Sequence, residues 1–124
     1  MPAVEEDRDV ERNIADEETR AAHRYLLQAM PGLGLTPSKN SGHVRAVRLH
    51  DVENRYVFSW IPAKRHLLFY VRKPALAAAS NLKQSIANTS LRANANPRGE
   101  ITIRIERESE ARGLVEWLKD KLPL

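Results

Sequence analysis

The sequence predicts an α+β fold with the element order α-β-β-β-α-β-α, a four-stranded and predominantly antiparallel sheet packed with helices. Three observations carry this. Apolar residues recur at helical spacing in three stretches. Four runs with alternating or β-branched and aromatic residues lie between them. The first three of those runs are joined by connections of about four residues, which reach only an antiparallel neighbour. A chain of 124 residues is long enough to build one such domain.

Val10, Ile14, Ala21, Ala22, Tyr25, Leu26, Ala29 and Met30 follow roughly helical spacing, interrupted by Glu17 and Glu18. Two starts are open. Asp16 can cap a helix beginning at Glu17, whose first-turn acids suit the helix dipole, or the helix begins as early as Ala3 to Asp9. Pro31-Gly32 ends it in either case. Residues 1–30 are assigned to an acidic N-terminal helical segment. Residues 31–42 are assigned to a loop, because LGLTPSKNSG is rich in turn formers, and residues 43–124 to a compact α+β domain.

His43 to His50, Arg55 to Ile61 and His66 to Arg72 read as a three-stranded meander. Alternation places Tyr56, Phe58 and Trp60 on one face of the second strand and Val57, Ser59 and Ile61 on the other. In the third, Leu67, Phe69 and Val71 alternate with Leu68, Tyr70 and Arg72. Both faces are thus expected to be largely apolar, which asks for cover on two sides or for a partner. Pro74 suits the first turn of a middle helix carrying Leu76, Ala79, Leu82, Lys83 and Ile86. That helix should fail in Asn88 to Gly99 (NTSLRANANPRG). Glu100 to Glu106 alternates strictly, with Ile101, Ile103 and Ile105 toward the core and Thr102, Arg104 and Glu106 outward. Its expected place is at an edge or beside the first strand. Ser109 to Leu122 closes the chain as an amphipathic helix with Ala111, Leu114, Val115, Leu118 and Leu122 inward and Trp117 near the stripe's edge.

Charge is divided along the chain. The formal net charge is +4, yet residues 1–18 hold eight acidic side chains against Arg8 and Arg12. Residues 36–104 hold twelve basic side chains against Asp51, Glu53 and Glu100. A body this basic attracts phosphate backbones, anionic lipid or an acidic protein. The same charges also serve solubility, and the acidic segment can compensate them internally.

With no cysteine in the chain, disulfides, thiol nucleophiles and zinc-thiolate sites are excluded. No apolar run approaches the length of a membrane span, and the N-terminus is acidic where a signal peptide would be basic. The expected compartment is the cytoplasm, with no membrane partner. His23, His43, His50 and His66 lack the spacing of a helical metal pair. No Walker loop, dinucleotide fingerprint or nucleophile elbow is present. Gly32 and Gly34 read as helix termination. The expectation is therefore a protein without catalytic residues, metal or cofactor.

The stretch from Glu53 to Lys121 carries a pattern: a strand ending in Phe58-Ser59-Trp60-Ile61-Pro62-Ala63-Lys64-Arg65, then His66-Leu67-Leu68-Phe69-Tyr70, a polar loop, Gly99-Glu100-Ile101-Thr102-Ile103-Arg104 and a final helix. This resembles an uncharacterised bacterial C-terminal domain of predicted restriction- or transport-associated proteins. Where that family has a glycine-rich segment with a tryptophan, this chain has Asn94-Ala95-Asn96-Pro97-Arg98-Gly99. The resemblance implies a fold and nucleic-acid-associated work, and a second alternative function is that of an accessory subunit of a restriction-associated system. It transfers no catalytic residue.

Arg45, Arg48, Arg55, Lys64, Arg65, Arg72, Lys73 and Arg104 fall on or beside the predicted strands, interleaved with Tyr56, Trp60 and Tyr70. Phosphate contacts combined with base stacking suit single-stranded or irregular nucleic acid. The candidate binding residues are Lys64, Arg65, Arg72, Lys73, Arg104, His66 and Tyr70. Core packing is the competing role for the aromatics, because Tyr56, Phe58 and Trp60 lie at core spacing. The competing function is a protein-interaction or homodimeric module, in which the two-sided meander is completed by a second copy or another protein.

Overall fold

In the computed structural model, which describes residues 11, 14–40 and 46–124, helix α1 spans Glu17–Ala29. Asp16 caps it from an extended conformation, its Oδ2 accepting from the Thr19 N–H at 3.1 Å and the Thr19 hydroxyl at 3.0 Å. The cap satisfies a donor that the first turn leaves unpaired. The alternative start at Ala3 to Asp9 lies outside the described residues. A 3₁₀ turn, Pro31–Leu33, leads out of the helix.

Six strands follow, not four: β1 Thr36–Asn40, β2 Ala46–His50, β3 Tyr56–Pro62, β4 Leu67–Val71, β5 Arg92–Ala95 and β6 Ile101–Ile105. They form one sheet in the order β1-β2-β3-β4-β6-β5, with every neighbouring pair antiparallel. Both extra strands lie at the edges. Thr36–Asn40, expected within the 31–42 loop, pairs along its length with β2, and an edge is the position that tolerates Pro37 and a polar sequence. Residues His43 to Arg45 of the first predicted strand lie outside the described residues.

Arg92–Ala95 falls in the segment expected only to break a helix. Its asparagines and Gly99 instead close a hairpin onto β6. The Asn96 N–H donates to the Glu100 carbonyl at 2.9 Å, the Gly99 N–H to the Asn96 carbonyl at 3.1 Å, and Gly99 takes φ +82°. Asn96 Oδ1 also accepts from the Arg98 and Glu100 N–H groups. Turn chemistry rules out a helix and a hairpin loop satisfies it equally well.

The middle helix is two helices, α2 Lys73–Ala78 and α3 Leu82–Ala87. Ala79 is extended at φ −138°, ψ 97°, and the break lets Ala75, Leu82 and Ile86 all reach the core. Strand β6 lies beside β4, between it and β5, and not beside the first strand. This register sets Leu67, Phe69 and Val71 against Ile105, Ile103 and Ile101, which joins the two most apolar strand faces at the centre of the sheet.

That face is the core. Val47, Leu49, Phe58, Trp60 and the six residues just named are buried in one cluster with Ala22 and Leu26 of α1, and with Leu114 and Leu118 of helix α4, Glu108–Lys121. Ile101, Ile103 and Ile105 point inward as their spacing predicts. Trp117, placed by its spacing near the stripe's edge, is buried and donates to Ser85 Oγ at 2.8 Å. The first helix therefore shares its core with residues 43–124. No helix among the described residues is long and apolar enough to cross a membrane.

Candidate nucleic-acid interface

Residues paired across neighbouring strands share a face of the sheet. The register therefore draws a row across all six strands opposite the core: Ser38, Arg48, Ser59, Tyr70, Thr102 and Asn94. A second row runs Ile61, Leu68, Arg104 and Arg92. This face is not the apolar one that alternation predicted: Ile61 and Leu68 are its large aliphatic side chains, and the remainder is polar, basic or aromatic. Arg48 and Arg104 are exposed, whereas Tyr70 and Thr102 are half-buried among their neighbours. No aspartate or glutamate occurs in any of the six strands. The carboxylates near the sheet sit at strand ends, in turns and on helices.

The aromatic side chains divide between the two faces. Trp60 and Phe58 are fully buried, and Trp60 donates from Nε1 to His23 Nδ1 at 3.0 Å. Stacking on a ligand is thus closed to both. Tyr56, predicted to share their face, does not. The register shifts between Leu49 and His50, so that Leu49 pairs with Phe58 but His50 with Tyr56. The Tyr56 ring lies with the guanidinium carbon of Arg72 at 3.7 Å from its centroid, that of Arg48 at 5.4 Å, and the His50 ring at 5.5 Å. Such cation–π contacts hold guanidinium groups against a ring while leaving them positively charged.

The seven predicted binding residues do not form one cluster. Lys64 and Arg65 are exposed in the β3–β4 turn, whose backbone is fixed because the Lys64 carbonyl accepts from the Ala15 and Asp16 N–H groups at 2.8 and 3.1 Å. His66 is half-buried at the same end of the sheet. Its pKa is lowered, by burial first and then by the charge of Arg104 and, less, of Arg92, with Glu106 opposing. Arg104 donates to Glu106 at 2.7 Å. Arg92 donates to Glu106 at 3.0 Å and to Glu110 at 2.8 Å, and both arginines hold the Glu106 carboxyl below its ordinary pKa.

Arg72 and Lys73 lie at the opposite end of β4, about 20 Å from His66 at ~3.3 Å per residue. Arg72 donates to the Tyr56 carbonyl at 2.7 Å and lies 3.6 Å from Glu100. Tyr70 and Arg104 share the sheet face between these two ends. Lys64, Arg65, Lys73 and Arg48 make no ion pair among the described residues. Sequence reasoning passed over Arg48 as a site residue, although its place between Val47 and Leu49 fixes it opposite the core. Arg55 was counted among the strand cations, but it is engaged by Asp51 and Glu53. Arg45 lies outside the described residues.

No cluster of three or more potential metal ligands occurs among the described residues. No protein-family model, curated protein or solved structure matches the chain. The resemblance seen in residues 53–121 therefore rests on the quoted sequence alone.

Proposed function

We propose that this is a small non-enzymatic protein that binds single-stranded or irregular nucleic acid across the face of its sheet opposite the described helices. The observation that carries the reading is that face itself: six strands without a carboxylate, bearing Arg48, Tyr70 and Arg104, with Lys64–Arg65 at one end and Arg72–Lys73 at the other. Arginine recognises phosphate through a planar fork of donors, and a tyrosine ring accepts any base by stacking. Thr102, Asn94 and Ser38 add neutral hydrogen-bonding groups in the same row as Tyr70, whereas Ser59 in that row is buried.

A single strand suits this surface better than a duplex. Six strands spaced about 4.8 Å apart make a face roughly 24 Å across, too broad to enter a major groove about 12 Å wide. Fluorescence anisotropy with labelled single-stranded oligonucleotides at moderate salt tests the reading. Arg48→Glu should weaken binding across sequences, because a phosphate contact carries little base information. Tyr70→Ala should cost about 1–3 kcal/mol if one base stacks there. Failure to bind at tens of micromolar protein, or binding indifferent to Arg48→Glu, overturns the proposal.

A further inference from the structure

The sheet has two edges, and they differ. Strand β1 carries Pro37, which supplies no N–H to a further strand. Strand β5 has no proline, and its one charged residue, Arg92, is held by Glu106 and Glu110. The direction of its backbone groups follows from the hairpin. Asn96 and Glu100 form a hydrogen-bonded pair, and such pairs alternate along an antiparallel ladder. Asn94 and Arg92 therefore bond inward to β6, and the N–H and C=O groups of Ala93 and Ala95 point outward. Beside this edge lies a shallow cavity of about 150 Å³, lined by Lys83, Ile86 and Ala87 of α3, Ala93 and Ala95 of β5, and Ile101 of β6.

We propose that a second copy of this chain pairs antiparallel with β5, on a twofold axis at Asn94, to give a continuous twelve-stranded sheet. The occupant follows from the self-complementarity of the edge. With the axis there, Ala93 meets Ala95 of the second copy and Ala95 meets its Ala93, so the four outward groups on each chain form four hydrogen bonds. Asn94 meets Asn94, Arg92 meets Asn96, and no two like charges are opposed along the paired strands. Small alanines on the core side let the two edges approach beside both α3 helices. An axis perpendicular to the sheet keeps the helices of both copies on one side and joins the two basic faces on the other. Dimerisation of this kind does not depend on nucleic-acid binding.

Sedimentation velocity across the micromolar range should show a dimer. Ala95→Pro removes an outward N–H that no bond among the described residues uses, and proline is tolerated on an edge strand. It should yield a monomer with an unchanged far-UV circular dichroism spectrum, whose thermal midpoint no longer rises with protein concentration as that of the dimeric wild type does. Asn94→Cys introduces the sole thiol of a chain without cysteine, at a pair whose Cα atoms would lie about 4.5 Å apart, within reach of a disulfide. Oxidation should convert it to a covalent dimer on a non-reducing gel, while Ser38→Cys, on the opposite edge, stays monomeric. A strictly monomeric wild-type chain, a dimer that survives Ala95→Pro, or cross-linking through Ser38→Cys and not Asn94→Cys would overturn the proposal.

Discussion

His66 reports on the charge around it. Burial and the neighbouring Arg104 and Arg92 disfavour its protonated form, and Glu106 only partly offsets them. Its folded pKa therefore lies below the unfolded value of about 6.5. The unfolded chain takes up a proton first as pH falls, so this group's contribution to stability is intact above that value and is lost as pH drops through the window beneath it. An NMR titration of His66 should show a midpoint below the ordinary histidine value, and Arg104→Gln should raise it. A bound phosphate near Arg104 should raise it too, so that an oligonucleotide moves the midpoint upward if it occupies this end of the sheet. A midpoint unmoved by Arg104→Gln would contradict the assigned cause. His66 was legible as a candidate because it follows Lys64 and Arg65 in a turn, and Arg104 because alternation turns it outward. The environment that couples them was not, because it arises from Glu106 and Arg92, which only the pairing of β5 with β6 brings together.

Two elements invite direct tests, and they divide what sequence pattern reveals from what it conceals. The faces of strand β6 were legible, though its place in the sheet was not: strict alternation over Ile101–Ile105 reads as one buried and one outward face, and the burial follows it. Ile103→Ala should cost about 2–5 kcal/mol in denaturant unfolding, since it empties a fully buried site, whereas Thr102→Ala on the other face should cost little. Strand β5 was illegible, because Arg-Ala-Asn-Ala alternates only through two small alanines over four residues and lies among turn formers. Its determinant is Gly99, whose left-handed φ of +82° closes the turn. Gly99→Ala should destabilise by about 1–2 kcal/mol, the cost of placing a side chain in that conformation. The added Cβ meets Lys73 Cε at 3.4 Å, a flexible side-chain end, so the effect should be one of backbone strain. The bulge near His50 was hidden for a similar reason: one extra residue reverses the side on which Tyr56 lies, and composition does not mark it.

At the scale of the whole molecule, the fold sorts charge between two surfaces. The outer faces of α1 and α4 mix both signs, in pairs such as Arg112–Glu108 at 3.1 Å and Lys119–Glu116 at 3.4 Å. The strands supply cations alone. The charge excess of residues 36–104 was visible in the sequence. The placing of Arg48, Arg92 and Arg104 on the face opposite the described helices was not, because that depends on those helices packing on the other side. This arrangement distinguishes site-directed binding from attraction to net charge. If nucleic acid lies on the sheet face, Arg48→Glu and Arg112→Glu change the net charge equally yet act differently, the first weakening binding and the second leaving it nearly unchanged. Loss of one phosphate contact should also reduce the dependence of log affinity on log salt by roughly 0.7 for a single strand. That reduction should accompany Arg48→Glu and be absent from Arg112→Glu. Equal losses from the two substitutions in anisotropy titrations over a salt series would assign the attraction to net charge and remove the sheet face from the account.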